Sequence, residues 1–264
     1  MIDLLDEVIV TPRRAFPRLP DLQVIERPGW LQIVTPSSKT GGLNEVLYSL
    51  LDEPGADAAI DAAVATYREL GVKFRWNAGP GSGPADLGVR LERRGLVPSW
   101  GRGMARSTDT AGYFGDGGDR GDRGDGGDGD AYADVVEVDA RTVDDYTHVM
   151  ATGWHADSAV LRAQHRHVLA EGRQCLFVTY RDGAPAAAAS YVPFARSAFL
   201  MGGVVLASYR GRGLYRALVR ARLAHARARG LTLATTHARE ATSAPILERL
   251  GFETVCRFPV YFEP

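Results

Sequence analysis

The residues whose types and spacing suit chemistry lie in one stretch, Met201-Gly-Gly-Val-Val-Leu-Ala-Ser-Tyr-Arg-Gly-Arg-Gly-Leu-Tyr-Arg216. An apolar run leads into Arg210-Gly211-Arg212-Gly213-Leu214-Tyr215, and a long helical pattern opens there. Glycine has no Cβ, so a ligand can approach the backbone and meet bare N–H groups. A helix start adds unpaired N–H donors and the positive end of the helix dipole. Arg210 and Arg212 add charge, and Arg216, Arg220, Arg222, Arg227 and Arg229 follow on the helix with no acid among them. This is an anion cradle suited to a pyrophosphate. The plain alternative is a Gly-rich strand-to-helix turn with solvated arginines. Neither a G-x-x-x-x-G-K-[ST] nor a G-x-G-x-x-G string is present at the loop, which separates it from nucleotide loops of those kinds.

Positioning these residues requires a strand before the loop and a helix after it. The pattern predicts strands over 175–180, 186–192, 198–206 and 231–237, with an Asp-Gly hairpin turn at 181–184. Helices are predicted over 141–150, 158–170, 213–229 and 243–250, and a last extended segment over 252–262. On the 213–229 helix, Leu214, Ala217, Leu218, Ala221 and Ala224 or His225 form the apolar face. Ser243 reads as a helix cap. Upstream, helices are predicted over 56–70 and 84–94, with a strand over 72–76. Leu91-Glu-Arg-Arg-Gly-Leu96 echoes Leu247-Glu-Arg-Leu-Gly-Phe252. The same order of helix, Gly stop, strand, loop and helix surrounds both, which reads as an internal duplication.

The chain has 264 residues, 45% hydrophobic and 24% charged, with a net charge of −1. That balance argues against a nucleic-acid binder or a polybasic membrane protein. No apolar run reaches the ~18 residues of a membrane helix, the first residues are acidic, and the two cysteines, Cys175 and Cys256, have no zinc or disulfide spacing. The expectation is a cytoplasmic protein with no metal. Residues 115–130 hold eight Gly, six Asp and two Arg and no apolar side chain, so the stretch reads as a linker rather than a calcium loop, which needs alternate oxygen ligands and a closing Glu. The expected organisation is an N-terminal domain over 1–106, a linker over 107–133 and a C-terminal domain over 134–264.

The Arg210 to Leu214 loop, with its strand before and helix after, resembles the acyl-CoA loop R/Q-x-x-G-x-G/A of the GNAT acyltransferase superfamily. Ile246 to Phe252, ending in L-G-F, resembles that family's second signature. The resemblance covers about residues 134–264, and the N-terminal half resembles a degenerate second copy without the loop. It implies an α/β (α+β) fold, two GNAT-like mixed sheets flanked by helices. It implies acetyl-CoA as co-substrate, bound by Val204, Val205, Leu206, Arg210, Gly211, Arg212, Gly213, Leu214 and Tyr215. Tyr215 departs from the family's small residue, and either crowds the pyrophosphate or points away.

The implied reaction is direct attack of an amine on the thioester, which needs a polarised carbonyl and a proton acceptor. A strand amide near Val204 to Leu206 is the expected carbonyl donor. The family's Glu base is missing from 198–206, Leu247 stands where a Tyr acid is usual, and Glu240 stands where an Asn is common. His237, at the end of the fifth strand, is the best substitute base, with Glu240 the runner-up and a surface role the rival for each. Trp154 and His155, followed by Asp157, are candidates for acceptor binding. His165 and His167, two apart, diverge on a helix and do not make a metal pair. Cys175 and Cys256 read as core thiols. The expected activity is N-acetyl transfer to a small-molecule amine. A non-catalytic acyl-CoA-binding or regulatory module, and an acetyltransferase acting on a protein, are the alternatives. No nucleic-acid or membrane partner is expected, and the oligomeric state is left open.

Overall fold

A computed structural model describes residues 3–40, 42–109 and 134–264. The Gly/Asp-rich stretch 115–130 lies outside the described residues. The first half contributes β1 (Gln23–Arg27), β2 (Trp30–Val34), β3 (Glu45–Ser49), α1 (Glu53–Glu69), β4 (Arg75–Asn77), α2 (Leu87–Arg93) and β5 (Val97–Ser107). The second half contributes β6 (Val135–Glu137), α3 (Val143–Trp154), α4 (Ser158–Glu171), β7 (Cys175–Arg181), β8 (Ala184–Pro193), β9 (Ser197–Val205), α5 (Leu214–Ala228), β10 (Leu233–Arg239), α6 (Ser243–Arg249) and β11 (Glu253–Phe262). The predicted helices and the strands β7 to β10 form within a few residues of their expected bounds.

All strands join one mixed sheet in the order β1-β2-β3-β4-β11-β5-β10-β9-β8-β7-β6. The halves repeat one plan. β1-β2-β3 and β7-β8-β9 are antiparallel. β3 then runs parallel to β4, as β9 does to β10. The last strand of each half crosses over: β5 pairs with β10 of the second half, and β11 pairs with β4 of the first. β5 and β11 pair with each other at the centre, from Glu253↔Ala105 to Phe262↔Val97.

The repeated Leu-Glu-Arg-x-Gly motif has a physical reason. In α2, Gly95 N–H bonds Glu92 O at 2.9 Å and Leu96 N–H bonds Leu91 O at 3.3 Å. In α6, Gly251 N–H bonds Glu248 O at 2.9 Å and Phe252 N–H bonds Leu247 O at 3.0 Å. Both are the same paired C-terminal cap, with the glycine at φ 86° and 80° respectively.

One face of the sheet carries α1 and α2 over Val46, Trp76 and Leu91, and α5 and α6 over Leu200, Leu218 and Leu247. The other face carries α3 and α4 over Val149, Val178 and Val204. Next to them, residues 6–14 fold into short helical turns over Ala105 and Phe258. Glu7 fastens this segment by accepting from Ser197 Oγ at 2.7 Å and Arg196 Nε at 3.1 Å.

Two local expectations need correction. The buried face of α5 is Leu214, Leu218, Val219, Arg222, Leu223 and Ala226, so Arg222 belongs to the core and not to the solvated arginines. Ser243 does not cap α6, whose cap residue is Thr242 with no side-chain cap bond. Its Oγ instead accepts from the Arg239 amide at 2.9 Å.

Candidate functional site

β9 and β10 are paired only from Ser197↔Leu233 to Leu200↔Thr236. The last rung is reinforced by Thr236 Oγ1 donating to Leu200 O at 2.8 Å. Beyond it β9 follows β8 to Val205, while β10 follows β5 to Arg239. A gap therefore opens between Met201–Val205 and His237–Arg239. Its β9 wall is bent at Gly202, where φ is 65° and the β8 register slips. The residue beneath this bend is Arg222. Its Nη1 donates to Ser190 O at 3.1 Å and Met201 O at 3.4 Å, and its Nε to Leu218 O at 3.0 Å. Burial lowers its pKa to about 10, so it remains a cation at neutral pH. Sequence reasoning missed this role, although an arginine four residues after Leu218 on an apolar stripe was the available signal.

The Gly-rich loop returns to the mouth of the gap. Arg210 Nε donates to Val205 O at 3.3 Å, and Arg212 Nη1 pairs with Asp182 at 3.3 Å across the β7–β8 turn. Gly211 and Gly213 have φ 76° and 74°, and a Cβ built on either meets nothing within 4 Å. Among the described residues, the amides of Gly211, Arg212, Gly213 and Leu214 find no protein acceptor. The Tyr215 ring turns away from them and packs on β9, with its Cε2 2.9 Å from a Cβ placed on Gly203. Of the two expectations for Tyr215, the ring leaves the loop clear. A diphosphate fits this open, positively flanked cradle, with Gly211 to Leu214 supplying the donors. Arg227 and Arg229 stand at the far end of α5, roughly 20 Å along the helix at ~1.5 Å per residue, and cannot share in it. Val204 points the other way, into the core against Gly153, so its side chain is withdrawn from the gap.

His237 and Glu240 lie on opposite faces of the sheet. His237 sits between the rings of Phe199 and Phe258, with centroids 5.1 and 4.9 Å away. Its Nε2 is 2.7 Å from Val8 O. A carbonyl only accepts, so Nε2 carries the proton and Nδ1 the lone pair. The residue is hemmed in by protein atoms yet solvent still reaches it, as expected of a side chain lining a groove. Burial lowers its pKa to about 4, so the ring is neutral. Glu45 and Arg75 stand near enough to act on its charge; they pair with each other, and Asn77 Nδ2 donates to Glu45 at 3.1 Å. Glu240 accepts from Arg102 Nε at 3.2 Å and pairs with Arg257 at 3.3 Å, with Arg102 also holding Glu248 of α6.

Trp154 closes α3 at the gap: its Cη2 lies 3.8 Å from a Cβ placed on Gly202, and the ring is about half exposed. His155 ends the same helix in a left-handed conformation, exposed. Asp157 caps α4 by accepting from the Ala159 and Val160 amides. His165 and His167 separate as expected, to Thr147 Oγ1 and Arg18 O. Among the described residues no helix is long and apolar enough to cross a membrane.

Residues 141–252 match the family model described as the acetyltransferase (GNAT) family. A GCN5-related N-acetyltransferase from Kribbella flavida is similar over 98% of this chain and 94% of its own, with 13% identity and a TM-score of 0.64. A tandem GNAT protein from the clavulanic acid biosynthesis pathway covers 98% and 93%, with 16% identity and a TM-score of 0.59. A functionally unknown conserved protein from Staphylococcus epidermidis covers 93% and 95%, with 12% identity and a TM-score of 0.65. At these identities the likeness is one of fold. No curated protein matches the sequence. Residues 141–252, which hold the splayed strands and the Gly-rich loop at their mouth, thus form a domain that matches the GNAT acetyltransferase family.

Proposed function

We propose that the protein is an acyl-CoA-dependent N-acyltransferase that moves an acetyl group from acetyl-CoA to the amine of a small molecule. The observation that carries this is the row of bare amides from Gly211 to Leu214 at the mouth of the β9–β10 gap. When bound, acetyl-CoA supplies the activated thioester. The loop amides and Arg210 hold the diphosphate, and the gap-facing backbone of β9 between Gly203 and Val205 pairs with the pantetheine arm and polarises the carbonyl. The amine enters from the face that carries Trp154 and His237. Trp154 offers it an aromatic wall, and His237 Nδ1 accepts an N–H hydrogen bond that aligns the nitrogen lone pair. The first half, read as a diverged duplicate, gives the groove its second wall through Glu45, Arg75 and Asn77. Isothermal titration tests the cradle. Wild type should bind acetyl-CoA, and Gly211→Val with Gly213→Val should abolish binding while thermal melting stays cooperative. Unchanged binding in the double variant would sink the reading.

One alternative has its own support. Leu247 is buried in the core and no acid lines β9 from Ser197 to Val205, which suits a non-catalytic acyl-CoA-binding module. That reading expects binding without thiol release across a panel of amines; release with any acceptor excludes it.

A further inference from the structure

A second constellation lies down α5 from the loop, roughly 16 Å along the helix at ~1.5 Å per residue. Glu137 on the edge strand β6, Cys175 at the start of β7 and His225 on α5 converge there. One ligand atom from each lies within 4.8 Å of the other two. His225 Nε2 and Glu137 Oε2 are 3.4 Å apart. Two ligands each about 2.1 Å from a tetrahedral ion stand about 3.4 Å apart.

The histidine is oriented by Tyr191 and Phe177, and the Tyr191 hydroxyl also hydrogen-bonds the Cys175 thiol. Its Nδ1 lies 2.8 Å from the hydroxyl of Tyr191, which is fully buried, and Phe177 meets the ring edge-on at 5.4 Å. This leaves Nε2 facing Glu137, with Cys175 Sγ within 4.8 Å of the imidazole's ligand nitrogen. A second-nitrogen hydrogen bond of this kind is how a metal-bound imidazole is held. Cys175 is buried, and burial pushes its thiol up. Arg229 Nη1 stands 3.7 Å from Sγ and favours the thiolate. The guanidinium also repels a cation, so it serves the site as an outer donor to sulfur. The Glu137 side chain is about half exposed and leaves the approach open to solvent.

We propose that Glu137, Cys175 and His225 form a binding site for zinc or a similar borderline-soft divalent ion. On binding, the Sγ–H bond of Cys175 breaks, its proton passes to solvent, and the sulfur lone pair takes the ion. His225 binds through Nε2 and donates Nδ1–H to Tyr191 Oη. Glu137 gives one oxygen, and water completes four ligands. The mixed sulfur, nitrogen and oxygen set disfavours magnesium and calcium, which take oxygen. The ion ties the edge strand β6 to β7 and α5, and so braces the edge of the sheet.

The test uses the full chain, stripped with a chelator and titrated with Co²⁺ alone, then with Zn²⁺. The expected result is one Co²⁺ per chain, with thiolate-to-cobalt absorption in the near ultraviolet and strong visible bands of a tetrahedral ion. One equivalent of Zn²⁺ bleaches both, and excess Zn²⁺ raises the melting temperature. The near-ultraviolet band disappears in Cys175→Ser and persists in Cys256→Ser. Glu137→Gln alters an exposed carboxylate and weakens Co²⁺ binding by about tenfold or more, which decides the matter if Cys175→Ser does not fold. Absence of the thiolate band in wild type, its survival in Cys175→Ser, or unchanged affinity in Glu137→Gln overturns the site.

Discussion

The carbonyl of Val8 fixes the tautomer of His237, and the surrounding rings keep it neutral. A base with a pKa of about 4 is unprotonated throughout the neutral range, so its protonation is not what limits turnover there. Protonation of Nδ1 removes the lone pair, and activity attributable to His237 should fall only as pH drops through about 4. An acid limb near 6.5 in kcat/KM, lost in His237→Ala, would show that the ring is not held in this way. His237→Ala should lower kcat/KM about tenfold or more, whereas Glu240→Gln, on the other face, should cost severalfold at most. Steady-state kinetics against a reactive amine separates the two. At this scale the loop was legible, because Gly211 and Gly213 are required by backbone conformation and their spacing states it. The partner of His237 was not, because it lies 229 residues away and is a main-chain atom that any residue supplies.

Elements bring these residues together, and the bend in β9 is the least obvious of them. Arg222 reaches from α5 to the carbonyls of Met201, next to that bend, and of Ser190, its partner on β8. Arg222→Met keeps most of the volume but leaves these acceptors without their charged donor. The expected cost is about 2–3 kcal/mol, read as a lower urea midpoint, together with weaker acetyl-CoA binding as the bent wall relaxes. The helices were readable because each buries one stripe at a 3.6-residue period. β5 was not: Val-Pro-Ser-Trp-Gly-Arg-Gly-Met-Ala-Arg-Ser mixes proline, two glycines and two arginines and shows no alternation. Its place is set by two neighbouring strands and not by its own pattern. The stripe on α5 was misread for a related reason, since an arginine that satisfies main-chain carbonyls can occupy a core position.

At the scale of the whole molecule, the exchange of β5 and β11 makes the halves mutually dependent. Residues 134–264 alone lack β5, leaving β10 with an unpaired edge and His237 without Val8. Residues 1–109 alone lack β11. Each fragment expressed singly should be insoluble or should melt without a cooperative transition. Co-expressed, the two should copurify and recover acetyl-CoA binding; a cooperative melt from either fragment alone would contradict this. The repeated helix caps signalled two similar units, but which sheet each closing strand enters depends on pairing between distant segments, which local pattern does not encode.

This crossing of closing strands also bears on inheritance. A lineage that deleted the first half would lose the scaffold of the half that carries the Gly-rich loop in the same event. Purifying selection on one half thus preserves the other, whether or not it retains any chemistry.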